Sequence, residues 1–169
     1  MPSDGPVRLR RTAPPVQVAA GEKVLAWATS TAGPVAGTRL ALYLPGPPPR
    51  RIPWEQVEAA DWDLDSETLR VSEVGSWGEP RPAYELALTE PALLLQLVRE
   101  RVTATVVIQR HVAISGKRGV RVIARRAPAG TRELTWLFEY DEGIDPADPF
   151  VEQAAQSVLA AARDEVGEV

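Results

Sequence analysis

A chain of 169 residues with 44% hydrophobic and 25% charged side chains has the size and balance of one ordinary globular domain. It holds no cysteine and a single histidine, His111, which excludes disulfides, thiolate nucleophiles, cysteine-based metal sites and a histidine-cluster metal centre within one chain. A net charge of −4 argues against a dedicated nucleic-acid binder.

The opening "MPSDGPVRLRRTAPP" lacks the apolar run of a secretory signal. No stretch approaches the roughly 18 apolar residues of a membrane-spanning helix. A cytoplasmic location is therefore expected. Charge is unevenly spread: residues 99–132 carry nine basic and one acidic side chain, between acidic blocks at 51–98 and 133–169. The basic block either pairs with its acidic neighbours inside the fold or forms a local anion site.

Residues 1–20 are proline-rich and poor in apolar periodicity. They read as a flexible tail, ending in an edge segment at Val16 and Val18. "KVLAWATS" (23–30) is a first strand and "TAGPVAG" a turn. "TRLALYL" (38–44) alternates, with Leu40, Leu42 and Leu44 on one face. "PGPPP" (45–49) is a loop, because proline cannot donate to a ladder. In "RRIPWEQVEAADWD" (50–63), Pro53 breaks the pairing and Gln56 restores it, giving a bent strand. Ala60, Trp62 and Leu64 share one face beyond the bend; Asp61, Asp63 and Asp65 share the other.

"TLRVSEV" (68–74) and "AYELALT" (83–89) are further strands, separated by a loop containing Trp77. The period then changes. Thr89 reads as a cap and Pro91 as an early helix residue, and Leu94, Leu97, Val98 and Val102 recur at helical spacing, so a helix is expected over about 90–103. Strands follow at 104–115, 120–127 and 132–141, the first two joined by the turn "GKRG". The final helix, about 148–166, has Asp148 as N-cap, Pro149 in its first turn and Gly167 as its stop. The expectation is one core of Leu40, Leu42, Trp62, Leu86, Ile108, Val122, Trp136 and Phe138, closed by Val151, Ala155, Val158 and Leu159 of the last helix.

The order "KVLAWATS…TRLALYL", "RRIPWEQVEAADWD", "TLRVSEV" resembles the first half of bacterial pleckstrin-homology-like (PH-like) domains, in which a strand of the type R-L-x-L-Y precedes R-I-P, a short bend and an alternating strand. The resemblance covers residues 22–75, and the last helix is consistent with the one that plugs such barrels. It implies a mainly β fold of about seven strands in two packed antiparallel sheets, with one inserted and one terminal helix, as a single domain over 21–169. The helix at 90–103 departs from that pattern. The resemblance carries over no functional residue.

His111 reads as a structural residue on the outer face of its strand, with no hydroxyl nucleophile near it. Asp61, Asp63 and Asp65, and the second acidic set Asp141, Glu142, Asp145 and Asp148, do not match calcium-loop spacing; Asp145 and Asp148 suit a helix start. Glycine-rich phosphate loops and the G-x-S-x-G elbow are absent. No catalytic residue, metal or cofactor is expected.

Lys117, Arg118, Arg121 and Arg125, on and beside the turn at 116–119, are the candidate ligand-binding residues. Trp77 is a candidate partner contact. The function expected from these features is a non-enzymatic binding module that contacts another protein or its own copy. The alternative is binding of an anionic lipid or phosphorylated ligand through the basic hairpin at 116–126; a second alternative is a carboxylate-based enzyme.

Overall fold

The computed structural model describes residues 16–75, 81–130 and 132–168. Among these, the chain forms ten strands and two α-helices. The first four strands are β1 (Ala26–Ser30), β2 (Gly33–Gly37), β3 (Ala41–Leu44) and β4 (Arg50–Pro53). A 3-10 turn, Trp54–Gln56, leads into β5 (Val57–Asp63), β6 (Thr68–Glu73) and β7 (Ala83–Thr89). Then come α1 (Ala92–Thr105), β8 (Val106–Ser115), β9 (Arg118–Arg126), β10 (Leu134–Tyr140) and α2 (Pro149–Val166).

The fold is mainly β with two helices, and every strand pairing is antiparallel. β1 to β7 make one seven-stranded sheet in the order β4-β3-β2-β1-β7-β6-β5. β8 to β10 make a separate sheet in the order β10-β9-β8. The expected closed barrel does not form: β4 and β5 are the two edges of the large sheet. The bent strand is present as expected. Pairing with β3 runs from Arg50 to Pro53, and pairing with β6 begins at Val57. Between them Trp54 is completely buried, and its indole N–H donates to the carbonyl of Thr38 at 2.9 Å. That anchor, with the donor missing at Pro53, sends the two halves of the stretch to opposite edges of one sheet. Side chains link across the gap: Arg50 on β4 reaches Glu73 on β6 at 2.7 Å, and the Tyr84 hydroxyl donates to the same carboxylate at 2.6 Å.

The expected single core is replaced by three clusters, of which two are covered by helices. One face of the large sheet presents Leu42, Leu44, Ile52, Trp54, Leu69, Val71 and Leu86 to Leu94, Leu97 and Val98 of α1. The inserted helix, and not the terminal one, therefore covers this sheet. Helix α2 covers the small sheet instead, where Leu159, Ala162 and Val158 meet Val122, Trp136 and Phe138. Two amphipathic helices and two sheets each need an apolar partner, and parity along the strands cannot say which helix takes which sheet. The ends of α2 are as read: Asp148 accepts from the Phe150 amide at 2.8 Å, and Gly167 adopts φ 74°. The start of α1 is not: Pro91 stands at its cap, and Thr89 belongs to β7.

Residues 33–37, expected as a turn, are β2. The segment Gly-Pro-Val-Ala-Gly has little strand propensity, but Val35 and Ala36 are fully buried on opposite sides. Gly37 suits that close packing, because a Cβ would stand 2.6 Å from the end of the Leu97 side chain of α1, which would have to shift, and 3.3 Å from the Trp54 ring.

The tail expected over 1–20 is docked where the structure describes it; residues 1–15 lie outside the described residues. Val16, Val18 and Val24 pack on Ala36, Ala41 and Tyr43, on the face of the sheet opposite α1. Glu22 fastens this segment. Its carboxylate accepts from Thr38 Oγ1 at 2.6 Å, from the Tyr43 hydroxyl at 2.7 Å and from Arg51 Nε at 2.9 Å. Burial pushes the Glu22 carboxyl up, but the hydrogen bonds from Arg51, Thr38 and Tyr43 outweigh it and hold the group below the usual carboxylate range.

Candidate functional site

The basic hairpin does not assemble as an open cationic surface. Arg125 is 4% exposed. Its guanidinium donates to the carbonyls of Val57 and Glu58, so it bridges the two sheets. Burial pulls its pKa down while the charge of Glu139 pushes it up. Arg125 is thus buried as a strut between the sheets and not exposed on the hairpin; parity put it beside Arg121, but parity is blind to what covers a face. Arg121 pairs with Glu139 at 3.3 Å across the β9–β10 ladder. Arg118 leans on the carbonyl of Glu142 at 3.4 Å. Lys117 stands exposed at the tip. Trp77 lies outside the described residues.

The one histidine and the second acidic set hold the same hairpin end together. His111 Nε2 lies 2.9 Å from Asp141 Oδ2, and that oxygen also accepts from the Gly119 amide at 2.7 Å. The His111 contact and the Gly119 N–H hold the Asp141 carboxyl below its ordinary range. Gly119 is required by close approach, since a Cβ would meet the Val112 carbonyl oxygen at 1.8 Å. Asp145 accepts from the Ala147 amide at 2.9 Å, and Asp63 accepts from the amides of Asp65 and Ser66 at 2.9 and 3.1 Å. Each of these carboxylates thus has a local structural partner. Among the described residues, no three histidine, aspartate or glutamate side chains come together as a metal-ligand set. No helix among them is long and apolar enough to cross a membrane.

The hollows described on this surface lie elsewhere, on either side of β5. The inner one, about 440 Å³, runs between β5 and α1 and is lined by Ala60, Trp62, Leu69, Leu95, Val98, Arg99 and Val102. The outer one, about 560 Å³, lies over the far face of β5 to β7 and is lined by Asp63, Leu64, Arg70 and Glu85, with Asp61 and Trp62 shared between the two. Trp62 is half-buried against the core, while Leu64 beyond it is 78% exposed. Within the outer hollow Arg70 is paired with Glu85 at 2.9 Å, so Asp61 and Asp63 leave it net negative.

The strand between the hollows has a backbone edge with two different halves. A bulge interrupts its pairing with β6 between Val57 and Ala59. At the bulge, the carbonyls of Val57 and Glu58 are occupied by Arg125. Among the described residues, the strand from Ala59 to Asp63 pairs with β6 on one side only. The period-two pattern holds only as far as Asp63: Leu64 and Asp65, expected on its two faces, lie in the turn that follows, and Leu64 lines the outer hollow beside Asp61 and Asp63. The pattern gave no sign that the strand was an edge, because edge position is a property of sheet order and not of the strand's own residues.

Comparison with protein-family models, with curated proteins and with solved structures returns no match.

Proposed function

We propose that the chain is a non-enzymatic, cytoplasmic protein-binding module, and that its contact surface is the cleft between β5 and α1. The observation that carries this is Trp62, half-buried on edge strand β5 and lining the hollows on both of its faces, with exposed Leu64 in the turn that follows. A half-buried aromatic with an exposed aliphatic side chain beside a groove suits an interface centre. The partner is another protein or a second copy of the chain. The PH-like resemblance of residues 22–75 belongs to the same proposal. It is supported by the strand, R-I-P bend and strand order of β3 to β5, while the open sheet and the separate three-stranded sheet depart from a simple PH-like barrel. Binding of an anionic lipid through the hairpin loses support, since Arg125 is buried and Arg121 and Arg118 are engaged with acidic-strand groups.

A photo-crosslinking residue placed at position 64 tests the proposal. It should yield discrete adducts with a partner protein or with a second copy, and the adducts should weaken in a Trp62→Ala background. The same probe at Phe150, 65% exposed on α2, serves as a surface control. Adducts at 150 with none at 64 would overturn the choice of surface.

A further inference from the structure

We infer that the Ala59–Asp63 half of β5 takes on an additional strand from a partner protein, and that this strand alternates apolar and basic side chains. The inference rests on the cleft proposed above as the contact surface and goes on to name what fills it.

A strand with one unpaired side offers a row of amides and carbonyls to another extended chain. In β5 that row is limited to the five residues beyond the bulge, because Arg125 occupies the two carbonyls before it. Side chains of an added strand would point alternately to the two faces of the sheet. On one face they would meet the hollow floored by the apolar side chains of Leu69, Leu95, Val98 and Val102, which Asp61, Arg99 and Thr103 also line. On the other they would meet Asp61 and Asp63, with Glu85 already matched by Arg70. An incoming segment therefore gains most when Val, Leu or a similar residue alternates with Arg or Lys.

The same charges argue against the simplest self-pairing. A second copy of β5 laid along the first would set Asp61 and Asp63 against their own kind, and like charges facing one another across a ladder are unfavourable. Acidic edge residues are a common guard against such pairing. The occupant is thus of opposite charge, from a different protein.

The test uses the full chain and a synthetic peptide of alternating Val or Leu and Arg, with titration followed by amide chemical shifts. The peptide should bind, shift the amides of residues 59–63 and slow their hydrogen exchange. Asp61→Lys should weaken binding by about tenfold or more, as removal of a complementary charge does. A glutamate-for-arginine peptide should not bind. A peptide N-methylated at alternate amides, which cannot form a ladder, should lose binding on the unaltered protein. Equal binding of the N-methylated peptide would overturn strand addition. Failure of every peptide while the position-64 probe still crosslinks would also overturn it, and would leave the cleft as the contact surface. Residues 7–11 of the chain read Val-Arg-Leu-Arg-Arg, so a full chain carrying Val7→Ser and Leu9→Ser is titrated in parallel. Unchanged affinity supports an outside partner. A gain of about tenfold would assign the edge to the chain's own segment and overturn the partner assignment.

Discussion

Glu22→Gln should be among the more damaging near-isosteric substitutions in the large sheet. The carboxylate receives three donors, and two come from Thr38 and Tyr43, which are 0% and 3% exposed. Charge-assisted bonds of this kind contribute about 1.5–3 kcal/mol each. The Arg51 side chain is 37% exposed, so that pair contributes only about 0–1 kcal/mol. Glutamine is easier to bury than a carboxylate and keeps one acceptor, which offsets part of the loss, but its NH2 faces groups that donate. The net expected loss is about 2–3 kcal/mol. For a chain of this size that corresponds to a fall in Tm of about 4–12 °C. The pH dependence gives a second, sharper reading. The Glu22 carboxyl is held below its unfolded value, about 4.3, so its contribution is fully present above that value. It is lost as pH falls through the folded value, so the gap between wild type and the variant should narrow on acidification. Urea unfolding followed by tryptophan fluorescence at pH 7 and at pH 3.5 measures both. A loss below about 0.5 kcal/mol at pH 7, or a difference that does not shrink on acidification, would refute the role given to this carboxylate.

Three further outcomes follow from the two helix-covered cores and the hairpin. Leu94→Ala, at a fully buried α1 position facing the large sheet, should cost about 2–5 kcal/mol and should perturb the environment of Trp54 in near-UV dichroism; an unchanged denaturation midpoint would show that α1 does not close that core. Gly119→Ala, which forces a Cβ onto the Val112 carbonyl oxygen, should lower stability by about 2 kcal/mol or more and should slacken the contact between Asp141 and the Gly119 amide, read as faster exchange of that amide; a Tm equal to wild type would mean the ladder yields there at no cost. Wild-type protein should fail to sediment with acidic-lipid vesicles at physiological salt, and changing Lys117, Arg118 and Arg121 together to Ser should shift Tm only slightly, because exposed pairs contribute about 0–1 kcal/mol; salt-sensitive sedimentation abolished by the triple variant would restore the hairpin as an anion site.

The sequence by itself determined the elements whose signals are local. Proline chemistry placed the bend at Pro53, where the ladder with β3 ends. Helical spacing of Leu94, Leu97 and Val98 put a helix in the midst of strands, and those same residues are the ones α1 buries. Asp148 and Gly167 fixed the ends of α2 through capping groups a few residues away. Parity along β5 set Ala60 toward the inner hollow and Asp63 toward the outer one, while Asp61 and Trp62 line both. What the tertiary structure alone decided was which surfaces meet. Arg125 and Arg121 share a strand face and a charge, yet one is sealed under the β5 bulge and the other is half-exposed beside Glu139. Gly-Pro-Val-Ala-Gly became a strand because both its faces are covered by distant residues. Val16 and Glu22 hold the N-terminal segment through partners 16 residues or more further along the chain. Most of all, the candidate site exists because β5 ends a sheet beside α1. Sheet order is set by the combined burial of all seven strands, and no stretch of β5's own sequence encodes the absence of a neighbour.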